Sequence, residues 1–102
     1  MGSVRVPHTA AMKRKDVEIK NKFGLHARPA AMLVKLAGGF NSEIQLIKDD
    51  MDVNAKSILG VMMLAAGPGN VVTIAAEGDD EEQAVNAIVE LIESRFGEEA
   101  AE

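Results

Sequence analysis

Regular patterning begins at "KDVEIKN" (15–21), where polar and apolar residues alternate and place Val17 and Ile19 on one face. That period of two predicts a half-buried strand. "KFG" then turns the chain. From Ala27 to Gly38 the period lengthens. Ala27, Ala30, Ala31, Val34 and Ala37 recur at helical spacing, predicting an amphipathic helix whose small side chains let it lie close to a sheet. Pro29 suits the first turn of that helix, where its missing N–H is not needed. Gly38 or Gly39 is expected to close it with a left-handed cap. "SEIQLIKDD" (42–50) predicts a second strand with Ile44 and Leu46 on one face, and "DDMD" a tight turn into a short third strand, "MDVNA".

"AKSILGVMMLAAGPGN" (55–70) is apolar nearly all round and predicts a short helix with Ser57 as its N-cap or a first-turn residue, stopped by "GPGN". "VVTIAAEG" (71–78) is rich in β-branched residues and is expected to be the best-buried strand. "DDEEQAVNAIVELIESRF" (79–96) predicts the last helix. Asp79 with Glu82, or Asp80 with Gln83, offers a capping box. Ala84, Val85, Ile88, Leu91 and Ile92 form its apolar stripe, and "GEEAAE" is expected to fray. The order β-α-β-β-α-β-α predicts an α+β fold, an open-faced sandwich with helices on one face of a four-stranded antiparallel sheet. Residues 1–14 lack periodicity and are expected to be an extension outside a single domain spanning 15–102. His8 falls there and is expected to be a solvated tail residue.

Composition narrows the function. The chain has 102 residues, 11 Lys and Arg against 16 Asp and Glu, and a formal net charge of −5. An acidic chain with three Phe and no Trp or Tyr is poorly suited to nucleic acid. The absence of cysteine excludes disulfides, thiolate catalysis and a cysteine-ligated metal. Two histidines make a His-rich zinc site an unpromising reading, and no metal or other cofactor is expected. No apolar run is long enough to cross a bilayer and no secretory signal is evident, so a cytoplasmic protein without membrane insertion is expected.

One stretch carries chemistry: "GLHARPAAML" (24–33). His26 stands immediately before the predicted helix. The amides of Ala27 and Arg28 begin the helix, at the positive end of its dipole, and can cradle an anion. A neutral imidazole has a lone pair and can act as a nucleophile. Arg28 adds a permanent planar cation suited to phosphate oxygens. Nucleophile, cradle and counter-charge suit a histidine that accepts a phosphoryl group, a reaction that needs mainly positioning and charge stabilisation. The same residues would also serve a histidine that only caps a helix or faces solvent. The chain has no Walker-type loop, so a phosphoryl donor and acceptor would have to be other proteins.

"GLHARPAAMLVKLAGGF" resembles the active-site segment of the HPr family, the histidine-containing phosphocarriers of the phosphoenolpyruvate:sugar phosphotransferase system. "NAKSILGVMMLAAGPGNVVTIAAEGDDEEQAV" resembles that family's regulatory-serine region and last strand–helix unit. The resemblance covers about Asp16 to Phe96. It implies that His26 takes a phosphoryl group on Nδ1 from enzyme I, that Arg28 assists, and that IIA domains of sugar permeases receive the group. It implies a regulatory phosphorylation site at Ser57 for an HPr kinase/phosphorylase, and a partner-docking patch at Ile58, Leu59 and Met62. It also implies a carrier, monomeric as a rule, that is no independent catalyst. Two alternatives share the motifs: a nitrogen-branch phosphocarrier, and a Ser57-phosphorylated corepressor that binds a transcriptional regulator. His26 argues against the regulatory paralogue that lacks this histidine.

Overall fold

The computed structural model describes residues 12–97; His8, most of the expected extension and the acidic tail lie outside them. Seven elements follow in the expected order. They are β1 (Met12–Glu18), α1 (Ala27–Gly38), β2 (Glu43–Lys48), β3 (Met51–Asn54), α2 (Ile58–Met63), β4 (Val71–Glu77) and α3 (Glu81–Glu93). A single 3-10 turn, Arg95–Gly97, follows α3.

The sheet runs β1-β4-β2-β3, with every neighbouring pair antiparallel. β4 is central, which explains why its sequence is the most apolar of the strands. Val72, Ile74 and Ala76 point to the helical side, where they join Val17, Ile44 and Leu46. Ala30, Leu33 and Ala37 of α1 and Ala84, Ile88 and Ile92 of α3 complete this core. Phe96 turns back into it through left-handed backbone at Arg95 and Phe96, with φ of 59° and 56°.

The structure corrects several local expectations. β1 starts at Met12, so residues 12–14, expected in the extension, pair with Glu77, Ala76 and Ala75. β1 is an edge strand exposed at Lys13–Asp16, so hydrophobic alternation does not mark its first half. In α1 the buried stripe passes through Leu33, while Ala27 and Ala31 are exposed. Leucine offers far more apolar area than alanine, so the helix rolls toward it. Neither Gly38 nor Gly39 adopts the left-handed cap. The helix ends instead in tighter bonds, Gly39 N–H to Leu36 O and Phe40 N–H to Ala37 O, both 3.1 Å.

The capping box of α3 also takes a different form. Asp80 is the N-cap residue, but its carboxylate makes no bond to its own helix. It accepts from the Ser42 hydroxyl (2.5 Å) and from the amides of Asn41 (2.8 Å) and Ser42 (2.9 Å). Glu81 reaches back instead, its Oε1 accepting from the Gly78 N–H at 3.0 Å. The Ser42 hydroxyl, reinforced by the Asn41 amide, holds the Asp80 carboxyl below its ordinary range against a smaller opposing effect of desolvation. Asp80 thus ties the start of α3 to the loop between α1 and β2.

Candidate phosphoryl-acceptor site

The segment before α1 is built against the connection between α2 and β4. Ile19 N–H donates to Asn70 O and Gly69 N–H to Ile19 O, each at 2.9 Å. Asn21 is buried, and its Nδ2 donates to Gly24 O at 2.8 Å. That same carbonyl accepts from the His26 N–H at 2.9 Å. Gly24 has φ of +66°, and a Cβ there would overlap the Ala66 carbonyl and lie 2.7 Å from Gly67 Cα. Only glycine combines that conformation with so close an approach. Leu25 N–H then donates to Ala66 O at 2.9 Å, and Leu25 itself is buried. His26 is therefore delivered from a segment pinned on both sides.

His26 is the N-cap residue of α1 in extended backbone, and its side chain makes no capping bond to the helix. Its carbonyl takes the first helical bond, from the Ala30 N–H at 2.9 Å. The amides of Ala27 and Arg28 precede that ladder, and Pro29 has no N–H to place. Pro29 is buried, and Arg28 is exposed in the first turn. The half-buried imidazole thus stands at the positive end of a 12-residue helix with a cation two residues on. Helix starts of this kind carry positive potential and in general favour anions.

Ser57 is the N-cap of α2, one of the two placements the sequence allows. It has extended backbone, and its Oγ accepts from the Gly60 N–H at 3.0 Å. Of the six residues of α2 only Val61 is buried. Ile58, Leu59, Met62 and Met63 are exposed, Leu59 by 74% and Met63 by 65%. Leu64, just beyond the helix, turns into the core. The expected patch of Ile58, Leu59 and Met62 is therefore a surface, and Met63 widens it. Ala66, which closes the α2–β4 connection against Leu25, links this surface to the His26 segment. Ala65 lies between them with φ of +51°.

Sequence reasoning passed over two residues here. Asn21 gave no signal, because its role depends on a turn closed through Gly24. Phe23 did give one, an aromatic side chain in a polar turn. It is 67% exposed, and its ring stands edge-to-face with the His26 imidazole, centroids 5.9 Å apart and planes at 89°. Among the described residues no helix is long and apolar enough to cross a membrane. No group of three His, Asp or Glu among them could hold a metal ion.

A sequence model for the family described as "PTS HPr component phosphorylation site" matches residues 13–94. The chain belongs to the HPr family. It is 51% identical over 87 residues to phosphocarrier protein HPr of Cupriavidus necator, covering 85% of this chain and 98% of that protein. A crystal structure of HPr from Thermoanaerobacter tengcongensis superposes with a TM-score of 0.83 at 60% identity, covering 85% of this chain and 98% of the other. A crystal structure of an HPr dimer from the same organism matches at 61% identity and a TM-score of 0.69, covering 80% and 94% of the two chains. The chain is thus an HPr-type phosphocarrier of the phosphotransferase system, with the open-faced sandwich of that family.

Proposed function

We propose that His26 is the phosphoryl acceptor. The observation that carries this reading is His26 at the N-cap of α1, at the positive end of a 12-residue helix and two residues before Arg28. The His26 lone pair attacks phosphorus on phospho-enzyme I. A new N–P bond forms as the bond to the donor on enzyme I breaks, and that donor leaves with its electron pair. The amides of Ala27 and Arg28 and the Arg28 guanidinium stabilise the charge on the moving group. Enzyme I takes its own phosphoryl group from phosphoenolpyruvate. The carrier then passes the group to IIA domains of sugar permeases in the cytoplasm. Ile58, Leu59 and Met62, joined by Met63, supply the apolar surface on which these partners dock, and a single copy of the chain holds every residue invoked.

Incubation with enzyme I and phosphoenolpyruvate should place an acid-labile phosphate on His26. An unlabelled protein beside an active donor would refute the assignment. The nitrogen-linked branch would show itself by transfer to its own acceptor with none to sugar IIA domains.

A second reading concerns Ser57, favoured by its half-buried position at a helix cap beside the apolar patch. Phosphorylation there by HPr kinase/phosphorylase would add about −1.5 to −2 charge at the edge of the docking surface. It would weaken docking of acidic partners and create a surface for a transcriptional regulator. ATP and the kinase should label wild type and His26→Ala alike. Absence of label from both would eliminate this route.

A further inference from the structure

Phe23 has no place in the core. It is 67% exposed, in a turn between a lysine and a glycine. Yet it is not loosely held. The backbone on both sides is fixed by the buried Asn21, whose Nδ2 holds the Gly24 carbonyl, and by Gly24 pressed against Ala66 and Gly67. Lys22 Nζ lies over the Phe23 ring, 5.4 Å from its centroid. The ring in turn meets the His26 imidazole at 89° with centroids 5.9 Å apart, within the range that edge-to-face aromatic pairs favour. The Phe23 ring therefore makes two contacts, one with the Lys22 cation and one with the His26 imidazole.

The Phe23 ring thus borders the side chain proposed to accept the phosphoryl group. A phosphoryl acceptor gains rate from a fixed angle of attack, since small misplacements of a reacting group are costly. An exposed apolar ring costs solubility and contributes nothing to the core, so its contact with the imidazole is the feature that accounts for its placement.

We propose that Phe23 is a positioning residue for phosphoryl transfer, its ring holding the His26 imidazole in the orientation from which it attacks. This rests on the assignment of His26 as acceptor. The ring acts through the imidazole and touches neither donor nor phosphoryl group.

The test uses the full chain with Phe23→Ala, Phe23→Leu and Phe23→Tyr. NMR of the unphosphorylated proteins should show one His26 side-chain rotamer in wild type and Phe23→Tyr, and averaging among rotamers in Phe23→Ala. With phospho-enzyme I as donor, Phe23→Ala should lower kcat for His26 phosphorylation roughly 2- to 12-fold, the rate equivalent of one edge-to-face pair. KM for phospho-enzyme I should stay unchanged. Phe23→Tyr should restore the rate, and Phe23→Leu, with bulk but no ring, should fall between. Melting temperatures should fall by no more than the few degrees that one such pair is worth, because the ring is otherwise exposed.

An unchanged kcat in Phe23→Ala would overturn the inference while leaving His26 as acceptor. So would a raised KM with unchanged kcat, which would make Phe23 a docking contact. Failure of Phe23→Tyr to restore the rate would overturn it as well. A wild type unlabelled at His26 would be recognised before any variant is compared, and would remove both readings together.

Discussion

The starts of α1 and α2 use a polar N-cap residue in opposite ways. At α2 the Ser57 hydroxyl is committed to its helix, accepting from the Gly60 N–H. At α1 the His26 side chain makes no such bond, and its ring meets that of Phe23. Serine is a strong capping residue, and histidine is outside the preferred group. The first start is thus stabilised by its own cap. The second forgoes that stabilisation and is held by the surrounding segment through Asn21, Gly24, Leu25 and Ala66. The difference teaches where the two sites store their stability: Ser57 within α2, His26 in the contact between two loops.

Substitutions can break this contrast at either end. The largest effect is expected from Gly24→Ala. It forces a side chain into a left-handed conformation and against the Ala66–Gly67 backbone. Left-handed strain and overpacking together should cost about 2–5 kcal/mol in denaturant unfolding. Phosphoryl acceptance should fall even where the protein remains folded. A Gly24→Ala protein with wild-type stability would mean that the segment before His26 is not pinned as described.

Arg28→Ala should come next, and should separate chemistry from folding. Arg28 is exposed, so unfolding free energy should change by no more than about 0.5 kcal/mol. Transfer from phospho-enzyme I should slow by roughly 10-fold or more as a charge-stabilising donor is lost. A stability loss comparable to a core truncation, about 2–5 kcal/mol, would instead make Arg28 structural.

Ser57→Ala should remove the cap of α2 and cost about 0.5–2 kcal/mol. It should leave phosphorylation of His26 by enzyme I near the wild-type rate. A large loss of acceptance would show that the two starts are not independent.

The smallest effect is expected at the third helix start. The Asp80 carboxyl is held below its ordinary range by the Ser42 hydroxyl and the amides of Asn41 and Ser42. A carboxyl depressed on folding stabilises the native state fully above its unfolded value of about 3.9, and that contribution fades as pH falls through the folded value. Asp80→Asn should therefore melt lower than wild type at neutral pH, and the difference should shrink as the solution is acidified below that range. A gap that widens on acidification would mean that the ionised carboxylate is not the stabilising form.

Much of this was legible in the sequence, for identifiable reasons. Alternation marked β2, because Ile44 and Leu46 are buried while Glu43 and Gln45 are exposed. Helical spacing marked α3, whose Ala84, Val85, Ile88 and Ile92 are buried as the stripe requires. Ser57 announced its own helix, since capping is a local act. What escaped depends on partners distant in sequence. Nothing near Asp80 signals that it bonds to Asn41 and Ser42. The roll of α1 toward Leu33 depends on the core and the two helices it packs against. The start of β1 at Met12 was hidden because an edge strand need not alternate. At the proposed site, the residue types of "GLHAR" suggested phosphoryl acceptance, but the Phe23 contact needed the turn at Gly24 to bring the rings together.

The central claim is that His26 carries the phosphoryl group. Its most direct test is to phosphorylate the protein with enzyme I and phosphoenolpyruvate and map the phosphate by 31P NMR and peptide analysis, beside His26→Ala. The account predicts one acid-labile phosphohistidine at His26, absent from the variant. Label on another residue, or label that survives in His26→Ala, would contradict it.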